Sequence, residues 1–148
     1  MKIVCMVMVV LIFTSCGQNV NSDNKLMLNP TVTRLGEISE RAVRHWDAYR
    51  DLENNLKLIY STNSLNATSF REPLLNNIKA MGRHIPQSLR TASVQKSLKI
   101  VDNQIVSFYQ EVGEDELNQR IVERHVDSIM IAFGKLNQCL NRCLVQTH

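Results

Sequence analysis

Beyond residue 30, apolar positions recur at helical spacing along most of the chain. Leu35, Ile38, Ala42, Trp46, Tyr49, Leu52, Leu56 and Ile59 fall three and four apart, so they share one helical face. Glu37, Glu40, Arg41, Arg44, Asp47, Arg50 and Asp51 mostly point elsewhere. Glu37 with Arg41 and Glu40 with Arg44 are favourable four-apart pairs, each contributing a few tenths of a kcal/mol. Asn29-Pro30 supplies a start signal, a capping Asn before Pro at the first helical position. The pattern predicts one helix over residues 30–60.

Residues 61–68 read as a loop by composition. Ser69-Phe70-Arg71-Glu72 then matches a capping box, opening a short second helix with Phe70, Leu74, Ile78 and Met81 as its stripe. Pro73 sits in the first turn, where a missing donor costs little, and Gly82 is the expected left-handed stop. Ile85-Pro86 forces an extended step. The third helix has the cleanest pattern. Val94, Leu98, Val101, Ile105, Phe108 and Val112 alternate spacings of four and three, the seam of a left-handed bundle, and Gly113 ends it. Glu114, Asp115 and Glu116 favour the start of a fourth helix. Its apolar face is Leu117, Ile121, Ile129, Ala132, Phe133, Leu136, Leu140 and Cys143. No strand-period segment or internal repeat breaks this series. The expected fold is all-α, an antiparallel up-down four-helix bundle, or three long helices plus a short covering helix.

The N-terminal pattern is different. Lys2 precedes an unbroken apolar run over residues 3–13, with no polar stripe of the kind a surface helix needs. A spanning helix needs about 20 apolar residues. This shorter run fits the core of a secretion signal. The residues that close it, Phe13-Thr14-Ser15-Cys16, resemble the lipobox of bacterial lipoproteins, with Phe13 in place of the usual Leu. The resemblance covers residues 1–16 alone. It implies that the signal is cut before Cys16 and that the Cys16 thiol carries lipid. Each buried acyl methylene contributes about 0.8 kcal/mol, so the several chains carried by that class anchor durably. Gln18 follows Gly17, and no Asp stands at the position that retains such proteins at the inner membrane; an outer-membrane address follows from the resemblance. Three segments result: a signal over residues 1–15, lipidated Cys16 with a polar tether over residues 16–29, and a helical domain over residues 30–148.

Composition narrows the function classes. With Lys2 set aside, the 17 basic residues become 16 against 14 acidic ones, a net charge of +2 (16 − 14) with mixed signs throughout. That is too weak for a nucleic-acid footprint. Hydrophobic content of 44% with only 5% aromatic residues predicts a mainly aliphatic core. Of four cysteines, Cys5 leaves with the signal and Cys16 takes lipid. Cys139 and Cys143 remain, one helical turn apart, at the upper limit of disulfide geometry in an intact helix.

Candidate chemistry is sparse. His45 and His125 fall on or beside apolar faces and could meet across a bundle to hold a metal or haem. The Glu-x-x-His pairs of a di-iron bundle and a C-x-x-C-H haem motif are both absent from the sequence. Cys139 and Cys143, with His148, offer soft ligands suited to Cu(I), and their spacing resembles the C-x-x-x-C pairs of some copper-handling proteins; apolar packing is the plainer role. Arg83, His84 and Arg90 bracket the start of the third helix, where an anion or other ligand could sit. Asn66-Ala67-Thr68 is a glycosylation sequon, and Asp127-Ser128-Ile129 resembles a short bacterial O-glycosylation acceptor. No nucleophile, base and orienter can be assembled, and there is no phosphate-cradling glycine loop. The sequence therefore points away from an enzyme or a bound cofactor. It points to a structural or protein-docking role in the cell envelope, the alternative being a metal- or small-ligand-binding bundle.

Overall fold

The computed structural model describes Leu26, residues 32–112 and residues 118–145. Among these residues the fold is all-helical, with no strand. The six α-helices are α1 (Glu37–Val43), α2 (Asp47–Tyr60), α3 (Ser64–Thr68), α4 (Arg71–Arg83), α5 (Ala92–Glu111) and α6 (Gln119–Val145), with a 3-10 turn at Gln87–Leu89 before α5. None of them is long and apolar enough to cross a membrane. Asn29-Pro30, Gly113, the acidic residues 114–116 and Leu117 lie outside the described residues.

The cleanest sequence pattern gives the cleanest element. The seam residues Val94, Leu98, Val101, Ile105 and Phe108 of α5, in steps of four and three, are all buried, as is Val112 just past its end. Its start is fixed by Thr91, whose hydroxyl accepts the Val94 N–H at 3.2 Å and satisfies one of the donors a helix N-terminus leaves open. Helix α2 packs on α4, α4 on α5 and α5 on α6, while α1, α2 and α3 also touch α6.

Contact with so many partners explains the burial of α6. Its exposed positions reduce to a narrow stripe through Arg120, Arg124, Ile131, Lys135, Gln138 and Arg142. Val122, His125, Val126, Met130, Asn137 and Cys139 join the expected apolar face in the interior.

Four local expectations are corrected. The predicted helix over residues 30–60 is two helices. Helix α1 ends at Val43, and the Trp46 N–H donates to the Val43 carbonyl at 2.9 Å across a turn. The corner lets α1 lie against α6 while α2 faces α4. On α1 the buried positions are Ser39 and Val43, and Ile38 is turned outward. Residues 61–68 are not all loop, because the Asn63 side chain accepts the Asn66 N–H at 2.8 Å and nucleates α3. Ser69 does not cap α4; its hydroxyl donates back to the Asn66 carbonyl at 2.6 Å, closing α3 instead. Gly82 does not stop α4 with a left-handed turn, since no described glycine has positive φ and the helix continues through Arg83.

Candidate functional site

Ahead of α1 the chain runs extended over residues 32–36 and is stitched to α6 by amide side chains. Asn137 Nδ2 donates to the Thr33 carbonyl at 2.8 Å and Gln138 Nε2 to Thr33 Oγ1 at 3.0 Å. One turn on, Asn141 Nδ2 donates to the Arg34 carbonyl at 3.0 Å, while Asn141 Oδ1 accepts the Gly36 N–H at 2.8 Å. Extended backbone has no internal partners, and Asn137 and Asn141 supply them. The segment passes close over Gly134: a Cβ there would stand 3.4 Å from the Thr33 nitrogen and 3.7 Å from the Val32 Cα, at ordinary contact distance.

This docking, together with the corner at residues 44–46, opens a cleft of about 1010 Å³ between the segment, α1, α2 and α6. Its floor is apolar, with Val43, Tyr49, Leu56, Met130 and Phe133. Tyr49 stacks between Trp46 and Phe133 at ring-centroid distances of 5.8 and 5.4 Å. Its hydroxyl donates to Asn137 Oδ1 at 2.9 Å in the buried interior. Burial, reinforced by the negative charge of Glu53, pushes the Tyr49 phenol far above its ordinary value, so it serves as a neutral donor.

The rim of the cleft is charged. Arg34, Arg41, Arg44, Arg50 and Lys57 stand against Glu37, Glu40 and Glu53, an excess of two cations (5 − 3). Arg41 pairs with Glu37 at 2.8 Å and Lys57 with Glu53 at 3.1 Å. The expected Glu40–Arg44 pair does not form, because Arg44 sits in the corner that ends α1. Among the described residues, Arg34, Arg44 and Arg50 have no ion-pair partner. The arrangement can receive a ligand that carries both an apolar surface and negative charge.

The residues singled out from sequence fall elsewhere. Arg83 ends α4 and His84 follows it, both exposed. Arg90 braces its own connection, its Nη2 donating to the Ile85 carbonyl at 3.2 Å. His45 and His125 do not meet as a pair: His45 is exposed in the corner, and His125 is buried on α6. His125 lies against the Phe108 ring, with Nε2 3.3 Å from Glu111 Oε2, an ion-pair separation without hydrogen-bond alignment. Burial holds the His125 imidazole below its ordinary value, opposed by Glu111 and assisted by Arg124. Asn66 is exposed on α3, and the Ser128 hydroxyl donates to the Arg124 carbonyl within α6 at 2.8 Å.

Cys143 faces the first turn of α5, its sulfur 3.9 Å from that of Cys139, while His148 and Cys16 lie outside the described residues. No group of three or more His, Cys, Asp or Glu side chains among the described residues is gathered as for a metal. The cleft itself was missed from sequence. Its nearest signal was the excess of arginine beside the apolar face of residues 35–59.

Among the described residues these features define an all-helical fold with a charged-rimmed cleft. No protein-family model matches the chain, and no curated protein or solved structure matches it either.

Proposed function

We propose that this chain is a lipid-tethered helical module of a bacterial cell envelope, anchored through acylated Cys16, that docks a protein partner in the cleft between α1, α2 and α6. The anchor rests on the resemblance of residues 1–16 to a lipoprotein signal, and the outer membrane is the favoured address because Gln18 stands beside Gly17. The four longer helices α2, α4, α5 and α6 are read as an antiparallel up-down bundle with α1 and α3 as short covers. The sequential packing of α2 on α4, α4 on α5 and α5 on α6 supports that reading.

The observation that carries the docking role is the cleft rim, where Arg34, Arg44 and Arg50 have no ion-pair partner among the described residues beside an apolar floor. A partner segment with apolar and acidic side chains complements both features, burying apolar area while pairing the guanidinium forks. The role is binding rather than catalysis.

Two measurements test the two halves. In cells fed labelled palmitate, the chain is expected to take up label and lose its signal, whereas Cys16→Ala keeps the uncut mass and takes up none. Equal labelling of the two would sink the anchor. A photo-crosslinking residue placed at Arg44 is expected to give a discrete adduct in native envelopes, and the same residue at Tyr109 on α5 is not. Arg34→Glu with Arg50→Glu should abolish the adduct; its persistence in that variant would remove the cleft from the interaction.

A further inference from the structure

Helix α6 runs 27 residues, and every Arg and Lys on it is exposed. These are Arg120, Arg124, Lys135 and Arg142, joined on the same stripe by Ile131 and Gln138. At 3.6 residues per turn the six positions fall within an arc of about 60°, and the cations span about 33 Å along the axis. No exposed acid of α6 interrupts them. Glu123 is half-buried and accepts from Gln119 Nε2 at 2.9 Å, and Asp127 is half-buried with Oδ1 enclosed. None of the four cations stands in an ion pair among the described residues. Arg142 Nε donates to the Gln138 carbonyl at 3.3 Å, which lays its guanidinium along the helix. Ile131, 49% exposed, sits at the centre of the stripe.

The chain leading into the fold narrows what can meet this face. Leu26 is buried, and its N–H donates to the Thr62 carbonyl at 3.2 Å, just ahead of α3, which itself touches α6. Cys16 stands ten residues before Leu26 (26 − 16), and ten residues reach at most about 35 Å. A lipid on Cys16 therefore holds a bilayer surface within about one length of α6, at a high effective concentration. A discrete acidic partner is gripped by forked, convergent pairs. The α6 cations instead lie in file on a convex helix surface, away from the cleft. Such a row matches a flat and diffuse negative field, which is what an anionic bilayer presents.

We propose, resting on the lipid-anchor reading of residues 1–16, that the α6 stripe is a membrane-facing surface that lays the domain flat on a bilayer containing anionic phospholipid. The guanidinium and ammonium groups meet headgroup phosphates, and Ile131 between them meets the headgroup layer. The apolar face of α6 stays in the core, so docking requires no unfolding. Each cation held at an anionic surface strengthens attachment by about fivefold, and the attraction fades beyond a Debye length of about 8–10 Å. Met130, Phe133 and Asn137, the cleft residues of α6, centre about 140° around the helix from the stripe, so the cleft opens away from the bilayer.

The test uses the chain as processed by its host, floated with phosphatidylcholine vesicles that either contain or lack phosphatidylglycerol. A photo-crosslinking residue is placed at Ile131 or, as a control, at Asn76, which is exposed on α4 where that helix packs on α2 and α5. Phospholipid adducts, read by mass spectrometry, are expected at Ile131 and not at Asn76. They should fall at least about tenfold without phosphatidylglycerol, at high salt, and in a variant combining Arg120→Gln, Arg124→Gln, Lys135→Gln and Arg142→Gln. Circular dichroism checks that this variant is folded; if it is not, the salt and lipid arms on the parent chain carry the test. Flotation reads the anchor separately, since a chain left behind by phosphatidylcholine vesicles would remove the tether and the membrane-facing surface together. A chain that floats but gives equal adducts at both positions, or adducts indifferent to phosphatidylglycerol, would overturn the α6 surface alone. So would a protein adduct at Ile131 in native envelopes with no lipid adduct beside it.

Discussion

Tyr49 shows how much one side chain settles in this molecule. Its ring fills the space between Trp46 and Phe133, and its hydroxyl is the donor that satisfies buried Asn137 Oδ1 at 2.9 Å. The ring position was legible in the sequence, because Tyr49 falls on the three-and-four spacing with Leu52 and Leu56. The hydroxyl's partner was not, since it stands 88 residues away on another helix. Tyr49→Phe retains the packing but leaves a buried amide oxygen without its donor, which costs about 1–3 kcal/mol. Urea unfolding followed by circular dichroism should show a lowered midpoint with an unchanged slope. An unchanged midpoint would mean that the Asn137 amide finds another partner, and that the phenol is only a filler.

At the scale of elements, the docked segment over residues 32–36 separates what periodicity can reveal from what it cannot. Helix α5 was legible because its seam residues repeat without interruption, whereas the Thr91 cap that fixes its start emerges only from the structure. The corner at residues 44–46 was not, because apolar spacing runs through it with no Pro or Gly to mark it; only the competition between α6 and α4 for two faces of one stretch creates the break. Asn137, Gln138 and Asn141 looked like ordinary polar positions on α6. Their partners, the Thr33 and Arg34 carbonyls and the Thr33 hydroxyl, lie more than a hundred residues earlier, a pairing that no local pattern encodes. Gly36 and Arg34, the partners of Asn141, are exposed, and loss of that amide should act locally. Asn141→Ala is expected to speed amide hydrogen exchange at Gly36 by about tenfold, with little change in the global midpoint. Asn137→Ala removes a buried partner of both Tyr49 and Thr33 and should lower the midpoint by about 1–3 kcal/mol. If both variants behaved alike, the segment and the core would be one cooperative unit, and the cleft wall could not be loosened separately.

The whole molecule is organised around α6, and that placement puts an ionisable ring in the interior. The sequence reads His125 as lying on or beside an apolar face, a core or rim histidine, with a pairing to His45 as the alternative. The pairing fails because the corner turns His45 outward, while the width of the α6 interface draws His125 in against Phe108. Burial disfavours the imidazolium, and Arg124 disfavours it further; Glu111 opposes both without restoring the ordinary value. The folded chain therefore releases the His125 proton at a lower pH than the unfolded chain does. Between the folded value and the unfolded value of 6.5, the unfolded chain binds more protons, and stability must fall as pH falls through that window. Glu111 acts in the same direction at more acidic pH, since its carboxyl is held below 4.5, first by the Ser107 hydroxyl, and its contribution is lost as pH falls through the folded value. The two effects are separable by pH. His125→Gln should remove the decline that begins near 6.5 and leave the later acid limb in place. Urea midpoints measured every half unit from pH 7.5 to 4 decide the matter: a variant that declines in parallel with the parent across the upper window would place the responsible proton on some group other than the one buried beneath α5.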